Sequence, residues 1–185
     1  MSIAACIKNF TIYKIEQFEM GLVRRMLSRE WSKLALEKSS SAESPDDKQR
    51  FVDCAETAEQ FAAAVSSLIE RGSLSGNRDM RVYTAQVEKS VYGVIGLSAR
   101  GSSVLVEFLV THPNHIWSEL NSERIQGSGS ALLKLAERIA SHAGVHSIKI
   151  DRPTLSARGF YGKQGYYSSN DNAYMEKPVT HSQVA

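Results

Sequence analysis

The chain is short of several things, and each shortage removes a class of protein. No stretch approaches the roughly 20 consecutive apolar residues that span a bilayer. Met1 to Phe10 has no long apolar run, so a cleaved secretion signal is not expected. Only two cysteines occur, Cys6 and Cys54, far apart and without metal-ligand spacing. They are expected as free thiols in a reducing compartment. His112 and His115 are three apart but have no further ligand set beside them, so no metal is expected. The net charge of +2 is too small to draw nucleic acid by itself. These absences describe a cytoplasmic protein with no membrane partner.

What is present suits one folded domain. The length is 185 residues, and the hydrophobic and charged contents of 42% and 23% are ordinary for a globular chain. Ile7 to Ile15 alternates as a first strand. A helix is expected from about Glu16 to Lys38, with Phe18, Leu22, Met26, Trp31, Leu34 and Ala35 as its buried stripe. Ser39 to Lys48 is rich in Ser, Asp and Glu and predicts a mobile loop. A second helix is expected to start on a capping box of Thr57 and Gln60 and to end at Arg71-Gly72.

Three strands follow, Arg81–Glu88, Val91–Ala99 and Ser103–Thr111. Their short joins make them an antiparallel meander. A polar loop over 113–126 leads to Gly127. There a third helix opens and runs to about His142, capped by Gly144. His146–Asp151 is a strand, Leu155–Gln164 a helix ended by Gly165, and Tyr166–Ser168 and Ala173–Lys177 are short strands. The strand–helix–strand unit implies one parallel pair. One domain is expected over 1–178, with a disordered tail over 179–185.

The strongest chemical signal is the turn Arg124-Ile125-Gln126-Gly127-Ser128-Gly129. Glycines let a ligand approach the backbone. The first N–H groups of a helix have no partners within it, and the helix dipole adds positive charge there. Such a turn either merely starts a helix or holds a phosphate. It is not a P-loop, because no Gly-Lys-Ser/Thr follows its first glycine. It is not a dinucleotide turn, because the third glycine is missing and a meander precedes it.

That turn resembles the R/Q-x-x-G-x-G/A signature of the GCN5-related N-acetyltransferases. The preceding strand, Glu107-Phe108-Leu109-Val110-Thr111-His112-Pro113, fits the same family. So does Ala157 to Tyr166, which is similar to its A-x-x-F-Y-x-x-x-G-F/Y segment. The resemblance covers about Arg81 to Lys177 firmly and the N-terminal part loosely. It implies an α/β (α+β) fold, with a mixed, mostly antiparallel six- to seven-stranded sheet and about four flanking helices.

The resemblance also implies acetyl-CoA as co-substrate and direct transfer of acetyl to an amine. Backbone groups of Leu109, Val110 and Thr111 would pair with the pantetheine amides. The N–H groups of Arg124, Ile125, Gln126, Gly127, Ser128, Gly129 and Ser130 would hold the pyrophosphate. Tyr161 would protonate the departing thiolate, and the N–H of Val110 would face the oxyanion. Glu107 is one candidate base, beside His112, Asp151 and a chain of waters. Tyr161 could instead cap the core, and Glu107 could simply face solvent.

A protein or peptide amine is favoured as acceptor over a metabolite or aminoacyl-tRNA, and a homodimer is left open. The other reading is a module of the same fold that binds acyl-CoA without turnover. Two features depart from the family. The loop from Pro113 to Arg124, with His115, Trp117 and Glu119, is longer than is common there. Thr154 stands where many members carry Asn. Gly127→Glu should abolish CoA binding through steric block and charge repulsion; unchanged affinity in a calorimetric titration would remove the site from this turn.

Overall fold

The computed structural model describes residues 10–70, 80–115, 127–170 and 173–179. The chain runs through β1 (Thr11–Lys14), a 3-10 turn (Gln17–Glu19), α1 (Met20–Arg25), a π-helical turn (Met26–Trp31) and α2 (Ser32–Ser41). Then come α3 (Pro45–Glu70), β2 (Arg81–Val87), β3 (Ser90–Arg100) and β4 (Ser103–Thr111). The remainder is a 3-10 turn (Pro113–His115), α4 (Ser128–His142), β5 (Ser147–Asp151), α5 (Leu155–Lys163), β6 (Tyr167–Ser168) and β7 (Tyr174–Pro178). This is the element order expected from the sequence.

The seven strands form one sheet in the order β1-β2-β3-β4-β5-β7-β6. Only β4 and β5 pair in parallel. Their crossover is α4, as strand–helix–strand geometry requires. The β2–β3 turn is made by Glu88 and Lys89, both at positive φ (51° and 72°). Two positive-φ residues give the hairpin turn whose twist suits antiparallel strands.

Each sheet face has its own core. On one face Leu132, Leu133, Ala136 and Ala140 of α4 pack on Ile95, Leu97, Val106, Ile148 and Ile150. On the other, Val23, Leu27 and Trp31 join Phe61 and Val65 of α3 against Val82, Val94 and Val110. Neighbours such as Val94 and Ile95 serve opposite faces, as strand alternation demands.

Two expectations in the N-terminal half need correction. The stripe of the first helix is Met20, Val23, Leu27, Trp31 and Ala35; Phe18 and Leu22 are 85% and 60% exposed. A wide π turn at Met26–Trp31 resets the phase of the helix, so simple i, i+4 counting from Phe18 follows the wrong face. The supposed loop at 39–48 is mostly helical. α2 runs to Ser41 and α3 starts at Pro45, with Asp46 and Asp47 in its first turn. Proline at the first helical position and early acids are stronger start signals than the Thr57/Gln60 pair. Thr57 is mid-helix, and its hydroxyl donates to the Asp53 carbonyl at 2.7 Å. The expected stop at Arg71-Gly72 and residues 180–185 of the expected tail lie outside the described residues; Val179, expected as the tail's first residue, is instead held by its N–H, which donates to the His146 carbonyl at 2.9 Å.

Phe61 is fully buried and stacks on Phe108 at 4.9 Å between ring centroids. Phe61→Ala should lower unfolding free energy by about 3–5 kcal/mol. Phe18→Ala should leave it within about 0.5 kcal/mol. Urea denaturation of the two variants checks this; a large loss at Phe18 would restore the first stripe.

Candidate active site

The site is built where β4 loses a neighbour. Pairing of β4 with β5 covers only Ser103–Val106 against Ser147–Ile150. Immediately beyond, β4 bulges: Leu97 faces Val106 and Gly96 faces Phe108, so Glu107 has no opposite residue. A bulge bends its strand and strengthens the local twist, and here the two parallel strands diverge. The rest of β4 has backbone groups on that side with no strand to receive them.

Ladder alternation says which groups these are. The N–H of His112 donates to the carbonyl of Tyr92 at 3.0 Å. Antiparallel pairs alternate, so Val110, opposite Val94, also turns its N–H and C=O toward β3. Leu109 and Thr111 turn theirs into the opening. This corrects the expectation for Val110: it lines the cleft, but its N–H is committed to β3 and cannot face a ligand.

The N-terminus of α4 points into the same opening. Gly127 takes φ +100° as the N-cap, and no side chain caps the helix. The first helical bond is from the N–H of Ala131 to the carbonyl of Gly127, 2.8 Å. The N–H groups of Ser128, Gly129 and Ser130 are thus free of helix bonds, with no acid in the first turn. An anion fits there. A Cβ on Gly129 would come within 3.2 Å of the Phe160 ring and 3.4 Å of Thr111 Cγ2. Glycine therefore lets the helix start, β4 and α5 meet. Arg124, Ile125 and Gln126 lie outside the described residues, as do Trp117 and Glu119.

The Phe160–Tyr166 segment has a mechanical reading. Gly165 takes φ +86° and lets the N–H of Tyr166 return to the carbonyl of Tyr161 at 3.1 Å. This is a Schellman ending, and it sets the Tyr166 ring at 6.2 Å from that of Tyr161. Tyr161 is 6% exposed and lines the cleft. Burial raises its pKa well above that of an ordinary phenol, so the group is a neutral proton donor. Its hydroxyl makes no hydrogen bond among the described residues.

The opposite wall comes from α3. Asp53, Cys54 and Thr57 line the cleft with Ser156 of α5. Asp53 accepts from Gln49 Nε2 at 2.7 Å and from the Ser156 hydroxyl, which ties the two helices together. The Cys54 thiol donates to the Thr111 carbonyl, with Sγ 3.8 Å from the oxygen. Burial, and then the Asp53 charge, push its thiol up to about 12. These residues escaped the sequence reading because the helix start was placed at Thr57, which left Asp53 and Cys54 outside any helix. The acidic first turn after Pro45 was the signal that could have found them.

The remaining candidates are placed as follows. Glu107, at the bulge, accepts from the Ser98 hydroxyl at 2.7 Å and is not among the residues lining the cleft. His112 accepts the Asn114 N–H on Nδ1 at 3.2 Å. Burial, and then Lys38, lower its pKa. Its Nδ1 lone pair is engaged by that N–H, and the residue is not among those lining the cleft. Asp151 pairs with Arg152 at 3.5 Å and does not line the cleft. His115 does line it. Thr154 lines it too, beside Ser156 at 3.3 Å between hydroxyls. Among the described residues no cluster could hold a metal ion, and no helix is long and apolar enough to cross a membrane.

This architecture matches solved structures. A GCN5-related N-acetyltransferase from Rhodopseudomonas palustris superposes with a TM-score of 0.56 at 15% identity, covering 94% of this chain and 98% of that one. A GNAT family acetyltransferase from Brucella melitensis, in complex with acetyl-CoA, gives 0.56 at 14% identity over 93% and 89%. A tyrosine-to-phenylalanine mutant of the toxin AtaT, bound to the C-terminus of the antitoxin AtaR and acetyl-CoA, gives 0.52 at 18% over 93% and 94%. The chain has the fold of the GCN5-related N-acetyltransferases. No protein-family model and no curated protein matches the sequence. The GNAT fold is thus carried by a chain whose identity to these structures is low.

The Cys54 thiol supplies a test of the cleft's electrostatics. With a pKa near 12, its thiolate fraction at pH 8 is on the order of 10⁻⁴. Iodoacetamide labelling of Cys54, followed by peptide mass mapping, should stay slow from pH 7 to 9. Asp53→Asn should speed it by removing the nearby negative charge. Rapid labelling at pH 7 in the unaltered protein would contradict this environment.

Proposed function

We propose that the protein is an acetyl-CoA-dependent N-acetyltransferase that passes the acetyl group directly to an amine. The observation that carries this reading is a convergence in one cleft of 1550 Å³. The uncapped start of α4, the open edge of β4 and the buried phenol of Tyr161 all face it.

Each part suits one segment of acetyl-CoA. The N–H groups of Ser128, Gly129 and Ser130 hold the pyrophosphate. The outward C=O of Leu109 and the outward N–H of Thr111 receive the pantetheine amides as an added strand would. The amine nitrogen attacks the thioester carbon, and a C–N bond forms as the carbonyl oxygen takes the negative charge. The outward N–H of Leu109 stabilises that oxygen. The C–S bond then breaks as the carbonyl re-forms, Tyr161 donates its proton to the thiolate, and the proton shed by the acylated nitrogen returns to the phenol through solvent. Cys54 forms no acyl-enzyme, because its thiol stays protonated at neutral pH.

A lysine-type amine has a reference pKa of about 10.4 and must lose a proton before attack. We assign that step to water beside Asp53, which lines the cleft, in preference to Glu107. The α3 wall of the cleft is polar, lined by Arg50, Asp53 and Thr57, which supports a polar acceptor such as a peptide amine. We favour a protein or peptide amine over a metabolite or aminoacyl-tRNA.

Release of free CoA thiol from acetyl-CoA, measured with a panel of peptide and small amines, tests the reading. Tyr161→Phe should lower kcat by about 100-fold and leave acetyl-CoA affinity within about threefold. Tight binding of acetyl-CoA without turnover on any amine would make the chain a binding module. Equal losses of turnover and affinity would make Tyr161 structural.

A further inference from the structure

A general acid works only within hydrogen-bond reach of the atom it protonates. The Tyr161 hydroxyl makes no hydrogen bond among the described residues, so its position depends on the backbone that carries it and on the rings beside it. Phe160 lies at 5.2 Å and Tyr166 at 6.2 Å between ring centroids. The backbone is the last turn of α5, a helix of only nine residues. Gln164 closes that helix, and its N–H donates to the Tyr161 carbonyl at 2.9 Å. The last carbonyls of a helix have no partners within it. That of Gln164 is taken by Lys177 of β7, whose Nζ donates to it at 2.9 Å. The same ammonium donates to Glu137 Oε1 of α4 at 2.8 Å. It also stands 5.6 Å from the centre of the Tyr166 ring. Its stem lies along Gly165, where a Cβ would be 3.6 Å from Lys177 Cε. Glu137 and Gln164 line the cleft, whereas Lys177 stands behind them.

We propose that Lys177 is a positioning residue, which ties the end of α5 to α4 and so fixes the Tyr161 phenol at the sulfur of a donor gripped by α4. The inference rests on the acetyltransferase reading of the cleft, with Tyr161 as its acid. One cation is shared by two helices with different tasks. α4 begins with the N–H groups assigned to the pyrophosphate, and α5 carries the phenol. Lys177 touches none of the backbone groups assigned to the donor, so its removal spares donor binding. A partly exposed ion pair adds little to stability, so the value of this one is geometric. A positive charge also suits the negative end of the α5 dipole, which keeps the ammonium at the Gln164 carbonyl.

The test is steady-state kinetics with acetyl-CoA and the fastest amine of the panel, beside calorimetric titration with acetyl-CoA. Lys177→Met keeps the stem and removes the charge. It should lower kcat by about tenfold, the scale of a small misplacement, and leave acetyl-CoA affinity within about threefold. Lys177→Arg, which still offers donors to both partners, should keep kcat within about threefold of the unaltered protein. In the Tyr161→Phe background, Lys177→Met should cost less than about twofold more, because two residues acting through one hydroxyl are not additive. Unchanged kcat in Lys177→Met overturns the proposal. So does a tenfold loss that persists without the Tyr161 hydroxyl, a matching loss of acetyl-CoA affinity, or a Lys177→Arg variant as slow as Lys177→Met. Absence of turnover by the unaltered protein on every amine instead overturns the acetyltransferase reading, and the role of Lys177 with it.

Discussion

The site depends on a pairing that stops. β4 and β5 hold together for four residues and then part at the Glu107 bulge. An unpaired backbone edge in a sheet interior is costly unless something bonds to it. Here the edge of Leu109 and Thr111 opens into the cleft, where a ligand's amides can take the place of the missing strand. The start of α4 belongs to the same arrangement, because α4 is the crossover between the two diverging strands. Its free N–H groups open into the cleft that this divergence creates.

The chemistry follows from what burial does to each group. A buried phenol keeps its proton and can give it to a leaving thiolate. A buried thiol keeps its proton as well and so is a poor nucleophile. The same desolvation keeps the proton on both the Tyr161 phenol and the Cys54 thiol. In the proposed direct transfer both groups stay protonated at the start, and backbone groups supply the fixed dipoles.

Much of the C-terminal half was legible in the sequence because its signals are local. Gly127, Gly144 and Gly165 mark helix ends through backbone geometry, and the meander strands are bounded by short joins. The N-terminal half was harder to read. A π turn resets the helix phase without any residue that announces it, and Ser44-Pro45-Asp46-Asp47 competed with Thr57/Gln60 as a start. The Val110 error has a different origin. Which backbone groups face outward depends on strand register, and register is a property of two strands at once. The bulge at Glu107 is likewise a mismatch between β3 and β4 and is written in neither alone.

The link between Asp53 and Ser156 joins residues 103 positions apart. The backbone edge, the helix start and the phenol come from the stretch between β4 and α5, whereas the facing wall comes from α3, encoded well before them. In terms of descent, the two halves of the cleft can diverge at different rates. Substitutions along the α3 wall can reshape one side of the cleft while the backbone edge and the helix start stay as they are. One hydrogen bond across the cleft keeps the two halves in register as that wall drifts.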